Sequence, residues 1–257
     1  MTLNYTDTGA GQPIVLLHGM AASLRYWDSY IEELSATNRV IAIDLMGFGR
    51  SAQSATGDYS PKSHAAAVKE TLETLHINVP ITLVGHSMGS LIALTYARLF
   101  PLDVTKLLLV SMPIYANAIE AKQEITQSKF RLRFTYYGLS SRILCNVWCY
   151  SLRPVSKKVA PYYLKKWPRP VATDSVLHSW RAYSQSLSRV IENQAVEQDL
   201  RNLAIATTLL YGDKESPVVL RNAHLLARLP KNVKTLILQG THNLPLEKQT
   251  EIVRLIG

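Results

Sequence analysis

"ITLVGHSMGS", residues 81–90, sets a strand, a sharp turn and the start of a helix within ten residues. Ile81 to Val84 read as a short buried strand, and the chain then turns at once through Gly85-His86-Ser87-Met88-Gly89. A strand that breaks sharply into a helix, with a glycine two places to either side of a serine, lifts that side chain above the sheet edge. The glycines let strand and helix approach closely, and the new helix aims its N-terminus at whatever the serine attacks. The pentapeptide alone arises by chance in roughly a tenth of chains this long, so its meaning depends on its surroundings.

Those surroundings alternate. Short apolar runs stand at Pro13–Leu17, Arg39–Asp44, Ile81–Val84, Lys106–Val110, Thr207–Tyr211 and Val233–Leu238. Each is apolar on both faces, as suits parallel strands covered on both sides. Amphipathic helices are predicted between them: Ser23–Ser35, a helix opened by Ser60-Pro61 and running to about His76, and Met88–Leu99, which stops before Pro101. Alternation of this kind predicts an α/β fold built on a doubly wound, mostly parallel sheet. "TLNYTDTG" at the start is expected to add one antiparallel edge strand.

The rhythm stops after Met112 and resumes near Leu203. We expect a core of residues 1–112 and 203–257, with 113–202 inserted as a helical cap. The insertion holds 12 of the 21 aromatic residues, and between residues 115 and 200 there are 13 Lys/Arg against 6 Asp/Glu, so most of the net charge of +9 lies there.

A serine is a poor nucleophile until a base takes its proton. Of the seven histidines, only His242 follows directly on the last predicted strand, at the same sheet edge as Ser87. His64 and His76 fall on the second helix and are expected to face solvent; His178 lies in the cap. An acid should stand between Ser87 and His242, just after a strand, and "LLYGDKESP" supplies Asp213 and Glu215. Either carboxylate would hold the imidazole tautomer. Upstream, His18-Gly19-Met20 ends the first buried run, so the Met20 N–H is expected to pair with that of Met88 as an oxyanion hole. Gly19 and His86 border the same place.

Other chemistries find less support. No apolar run reaches the ~18 residues of a membrane helix, and Met1-Thr2-Leu3-Asn4 leads straight into strand-like sequence, so a cytoplasmic protein is expected. Cys145 and Cys149 read as buried free thiols, since two cysteines alone give neither a disulfide framework nor a metal signature. "DLMGFGRS", 44–51, has neither glycine pattern of a nucleotide site, and no cofactor is expected. No motif for nucleic acid accompanies the basic charge.

"HGM", "DLMGFGRS", "GHSMG", "YGDKESP" and "GTHNLPLEK" stand in the order of the blocks of the α/β-hydrolase fold family. The chain resembles its capped esterases, lactonases and C–C hydrolases over nearly its whole length outside the cap. The resemblance places the acid three residues after Gly212, which favours Glu215 over Asp213, although that position is usually aspartate. Ser90 also departs, since many relatives have glycine there. The resemblance implies a serine hydrolase of carboxylic esters with small to medium apolar acyl groups, lined by the cap residues Tyr137, Trp148, Trp167 and Trp180. Alternatives are a lactonase, or a methyl-ester hydrolase acting on an acidic carrier protein. Ring-cleavage C–C hydrolases commonly have asparagine at the position of His86, and a non-enzymatic binding protein would not need the triad. The basic cap would suit an acidic carrier or an anionic lipid surface.

Overall fold

The computed structural model describes residues 1–127, 139–226 and 231–257. Seven strands form one sheet: β1 (Tyr5–Thr8), β2 (Gln12–Leu17), β3 (Asn38–Ile43), β4 (Ile81–His86), β5 (Val104–Val110), β6 (Ala206–Gly212) and β7 (Val233–Leu238). Their order is β1-β3-β2-β4-β5-β6-β7. β1 runs antiparallel to β3, and the other pairings are parallel. The chain crosses from β3 over β2 to β4, so the sheet grows outward in both directions from β2.

Successive strand residues point to opposite faces, and both faces are covered. Leu83, Leu107 and Leu109 pack with the helices α2 (Pro61–Thr74) and α3 (Met88–Leu99). Leu16, Val84 and Leu108 pack on the other face, against Trp27, Tyr30 and Leu34 of the first helical segment and Ile252 of the last helix. That segment is a single 3-10 turn, Leu24–Trp27, continued by α1 (Asp28–Leu34). Each fully buried leucine or aromatic contributes about 1.5–3 kcal/mol, which is why the uninterrupted apolar runs become the central strands. β7 differs from the expectation: it lies at the sheet edge, and Ile237 is 43% exposed.

α2 starts where Ser60 accepts a hydrogen bond from the Ser63 N–H at 3.2 Å, with Pro61 in its first turn. His64 on this helix does not face solvent as the sequence suggests. It is fully buried, because this face of α2 is covered from the inserted segment, where Ser186 Oγ lies 3.2 Å from His64 Nε2.

Between β5 and β6 the described residues form helices: α4 (Ala118–Gln127), α5 (Leu139–Cys145), α6 (Arg153–Tyr163), α7 (Arg169–Asp174), α8 (Trp180–Ser186) and α9 (Val196–Arg201). Two π-helical turns, Asn146–Ser151 and Leu187–Glu192, continue α5 and α8. The segment is fastened to loops at the carboxyl ends of β2 and β3. Ser23 Oγ donates to Asp174 at 3.0 Å, and His178 bridges Phe48 through the backbone. Three further helices complete the chain: α10 (Pro217–Leu226), α11 (Leu244–Glu247) and α12 (Gln249–Ile256). Among the described residues no helix is long and apolar enough to cross a membrane.

Candidate active site

In-register pairing of β2, β4, β5 and β6 brings their carboxyl ends to one edge: Leu17 pairs with Gly85, His86 with Val110, and Val110 with Leu210. The loops that carry Gly19, Ser87 and Glu215 therefore meet there, with His242 from the loop after β7.

Ser87 sits at φ 53°, ψ −120°, between the last residue of β4 and the first of α3. An ordinary side chain is rare at such angles, so the turn is held by its neighbours. A Cβ on Gly85 would come within 2.4 Å of the Gly89 carbonyl oxygen, and one on Gly89 within 2.5 Å of the Leu17 oxygen. Glycine at both positions is thus a packing requirement. Ser90, the departure noted in the sequence, donates its hydroxyl to the Gly85 carbonyl at 2.7 Å and ties the turn across its base.

His242 Nε2 lies 3.0 Å from Ser87 Oγ, and its Nδ1 lies 2.8 Å from Glu215 Oε2. Glu215 is buried, whereas the imidazole is 43% exposed and open to a reactant. Burial pushes the Glu215 carboxyl up, but the hydrogen bond and charge of His242 and the Ser216 N–H outweigh it, and the group is held below its ordinary range. It is an anion at neutral pH. Asp213, the other acid candidate, accepts from the Gly240 N–H at 2.8 Å and is exposed. It pins the loop that carries His242 and makes no bond to the ring.

Of the two expected oxyanion donors, Met88 directly follows Ser87 and Met20 directly follows Gly19. Met88 is the first residue of α3, where backbone N–H groups have no partner within the helix. A Cβ on Gly19 would reach within 3.1 Å of the Ser87 Cβ, so the His18–Met20 loop passes directly against the serine. His18 shapes that loop: its Nδ1 donates to the Gly19 carbonyl at 2.7 Å, and its Nε2 accepts from the Leu45 N–H at 2.9 Å. Those two bonds require the neutral Nδ1–H tautomer. Burial lowers its proton affinity accordingly, with the nearby Asp44 opposing. Asp44 anchors the glycine-rich loop through the Leu24 and Arg50 N–H groups at 2.6 and 2.8 Å.

His86 is not a surface offered to substrate. Its ring is buried, stacked on Tyr26 at 4.7 Å, and its Nε2 donates to the His242 carbonyl at 2.9 Å. Burial first, and the charge of His242 second, push it down to about 3, so it stays neutral. It is a strut between the serine turn and the histidine loop. Of the aromatic candidates, Trp167 packs edge-on against Tyr26 at 6.1 Å and reaches the border of the site. Trp180 stacks on Tyr183 at 6.0 Å. Trp148 packs within a small cluster around Cys149, Ala160 and Val176. Tyr137 lies outside the described residues. Tyr26 carries no signal at the level of sequence, because its part depends on where the first helical segment docks.

The sequence profile of the alpha/beta hydrolase fold matches residues 12–249. The chain belongs to the alpha/beta hydrolase fold family. Within that family it is 26% identical to a 2-hydroxy-6-oxo-2,4-heptadienoate hydrolase of Pseudomonas putida, over 99% of this chain and 91% of the other. It is 21% identical to Lipase 1 of Psychrobacter immobilis, over 94% and 75%. Among alpha/beta hydrolase structures, a carboxylesterase of Nitrososphaera gargenis superposes with a TM-score of 0.74 at 23% identity, over 98% of this chain and 92% of that one. The alpha/beta hydrolase relatives thus include hydrolases with differing substrates.

Proposed function

We propose that the chain is a serine hydrolase of carboxylic esters with small to medium apolar acyl groups. The observation that carries this is the continuous line from Ser87 Oγ through His242 to the buried Glu215, at 3.0 and 2.8 Å. In this reading His242 Nε2 takes the Ser87 proton as Oγ attacks the ester carbonyl. The Nδ1–H donates to the Glu215 carboxylate, which stabilises the imidazolium. The N–H groups of Met20 and Met88 receive the negative charge that forms on the carbonyl oxygen. His242 then gives its proton to the departing alcohol, leaving Ser87 acylated. A water, deprotonated by the same ring, attacks the acyl-enzyme and releases the acid, restoring Ser87.

The inserted helices serve as a cap that meets an anionic lipid surface. Residues 139–173 contain seven Lys/Arg and no Asp/Glu. Ile143, Leu144, Val147, Tyr150, Tyr162 and Tyr163 are exposed on the same stretch. Apolar side chains beside lysines are the combination that enters a headgroup layer. A soluble acidic carrier would use the charge but not the apolar groups.

Ser87→Ala is the test, assayed on p-nitrophenyl esters from acetate to palmitate, acyl-homoserine lactones, a carrier-bound methyl ester and a 2-hydroxy-6-oxodienoate. Turnover of the preferred simple ester should fall on the order of 10⁶-fold. Retention of more than a tenth of wild-type activity would remove Ser87 from the reaction. Exclusive turnover of lactone, carrier-bound ester or dienoate would replace the simple-ester reading.

A further inference from the structure

Cys145, Cys149 and His178 take no part in the reaction above, yet the fold gathers them. Cys145 ends α5, and Cys149 lies four residues on, inside the π-helical turn Asn146–Ser151. His178 comes from the segment just before α8. One ring nitrogen and the two sulfurs all lie within 4.8 Å of one another. Both cysteines are free; Cys149 and His178 are buried and Cys145 is half-buried.

The spacing is that of a ligand set. Zn–S bonds of ~2.3 Å and Zn–N bonds of ~2.0–2.1 Å at a tetrahedral angle separate the two donor atoms by about 3.5–3.6 Å. Cys149 Sγ and His178 Nε2 are 3.6 Å apart. The other nitrogen of His178 is buried without a hydrogen-bond partner, so the ring is aimed at the sulfurs and anchored by no second polar contact. Two thiolates and an imidazole are soft donors, selective for zinc or copper(I) over hard cations. Three protein donors suit trigonal copper(I), or zinc completed by a water.

We propose that Cys145, Cys149 and His178 form a cap site for a soft d¹⁰ cation, zinc or copper(I), that clamps the inserted helices to the core. The clamp follows from connectivity. The backbone of His178 bridges Phe48 in the loop after β3, and the Phe48 ring lies edge-on to His18 at 6.3 Å. An ion held by the three side chains would join the π-turn to that loop, next to the oxyanion segment. The third donor stands 29 residues beyond Cys149, which is why the paired cysteines carried no metal signature in the sequence.

Cobalt(II) is the spectroscopic probe, added to the whole reduced, metal-free protein. One equivalent should produce a thiolate-to-cobalt charge-transfer band in the near ultraviolet and visible tetrahedral bands, both removed by zinc or copper(I). Cys145→Ser and Cys149→Ser should abolish the charge-transfer intensity one thiolate at a time. His178→Ala should weaken binding at least ~10-fold, the smallest loss usual even for outer-shell changes. Wild-type protein with both thiols capped as methyl disulfides should match the double serine variant, so the test does not depend on a variant folding. Competition against a zinc chelator and a copper(I) chelator then tells the two cations apart, and a clamp should raise the melting temperature only where both thiols are free. Absence of the charge-transfer band in reduced wild type, or an equal band in the capped protein, would overturn the site. Binding with no change in melting temperature would overturn the clamp.

Discussion

The two ring nitrogens of His242 have different neighbours, and the difference assigns the carboxylates. Glu215→Gln leaves the ring without its charged partner and should lower kcat on the order of 10⁴-fold, the loss seen when such an acid becomes an amide. Asp213→Asn keeps an oxygen for the Gly240 N–H and should cost less than about 1.5 kcal/mol, one ordinary hydrogen bond. Steady-state kinetics on both variants decide it: the opposite order of damage would move the acid to Asp213. At this scale the sequence was informative where a residue's place follows from an adjacent strand. The meeting of Ser87 and His242 at one sheet edge was legible for that reason. Asp213 and Glu215 both follow β6, so the residues alone left the choice open, and only side-chain direction separates them. His64 was misjudged because the group that covers it, Ser186, comes from a distant part of the chain.

Elements fix how closely the serine turn can be packed. β4 and α3 meet so tightly at Gly85 that a methyl group there would collide with backbone, which cannot rotate aside. Gly85→Ala should therefore destabilise the fold by about 1–3 kcal/mol, the usual cost of overpacking, read as a lower urea midpoint. A loss under ~0.5 kcal/mol would show that the turn can open. The central strands were legible because burial on both faces demands unbroken apolar runs, and α3 because Pro101 stops it. β7 has the same composition but lies at the edge, and position in the sheet is not written in a single strand. The inserted helices were legible only as helices: their π-helical turns follow from mutual packing, for which no periodicity exists.

Among the described residues, burial lowers the proton affinity of three histidines, and the molecule should be acid-labile for that reason. His64 and His86 are both pushed down to about 3, chiefly by burial, and His18 is lowered too. Unfolded, each would take a proton near ~6.5. The contribution of His64 and His86 to stability is complete above that value and is lost as pH falls toward 3, with a slope of about 1.4 kcal/mol per pH unit for each of these two; His18 acts in the same direction. Glu215 acts in the same direction below its unfolded value of ~4.3. Urea unfolding at pH 7, 6 and 5 should show stability dropping, with a shallower slope in His64→Gln. A flat profile down to pH 4.5 would contradict this. The cap surface adds a second prediction. Ser87→Ala protein should sediment with vesicles containing anionic lipid and release as salt shortens the Debye length from ~10 Å at 0.1 M to ~3 Å at 1 M. Lys158→Glu with Lys165→Glu and Lys166→Glu should abolish it, and the same three changes made with Ser87 intact should leave turnover of a neutral short ester unchanged. Equal binding to neutral vesicles, or binding only to an acidic carrier protein, would refute the anionic-lipid reading.

The backbone of Ser87 carries a trade between durability and chemistry. A residue with a Cβ held at φ 53°, ψ −120° raises the energy of the native state by about 1–3 kcal/mol, and glycine would not. Ser87→Gly should thus yield a protein that melts later than Ser87→Ala and hydrolyses nothing. A search for hardier variants that ignored activity would drift toward glycine at position 87, so a serine kept there marks selection for a reaction over selection for endurance.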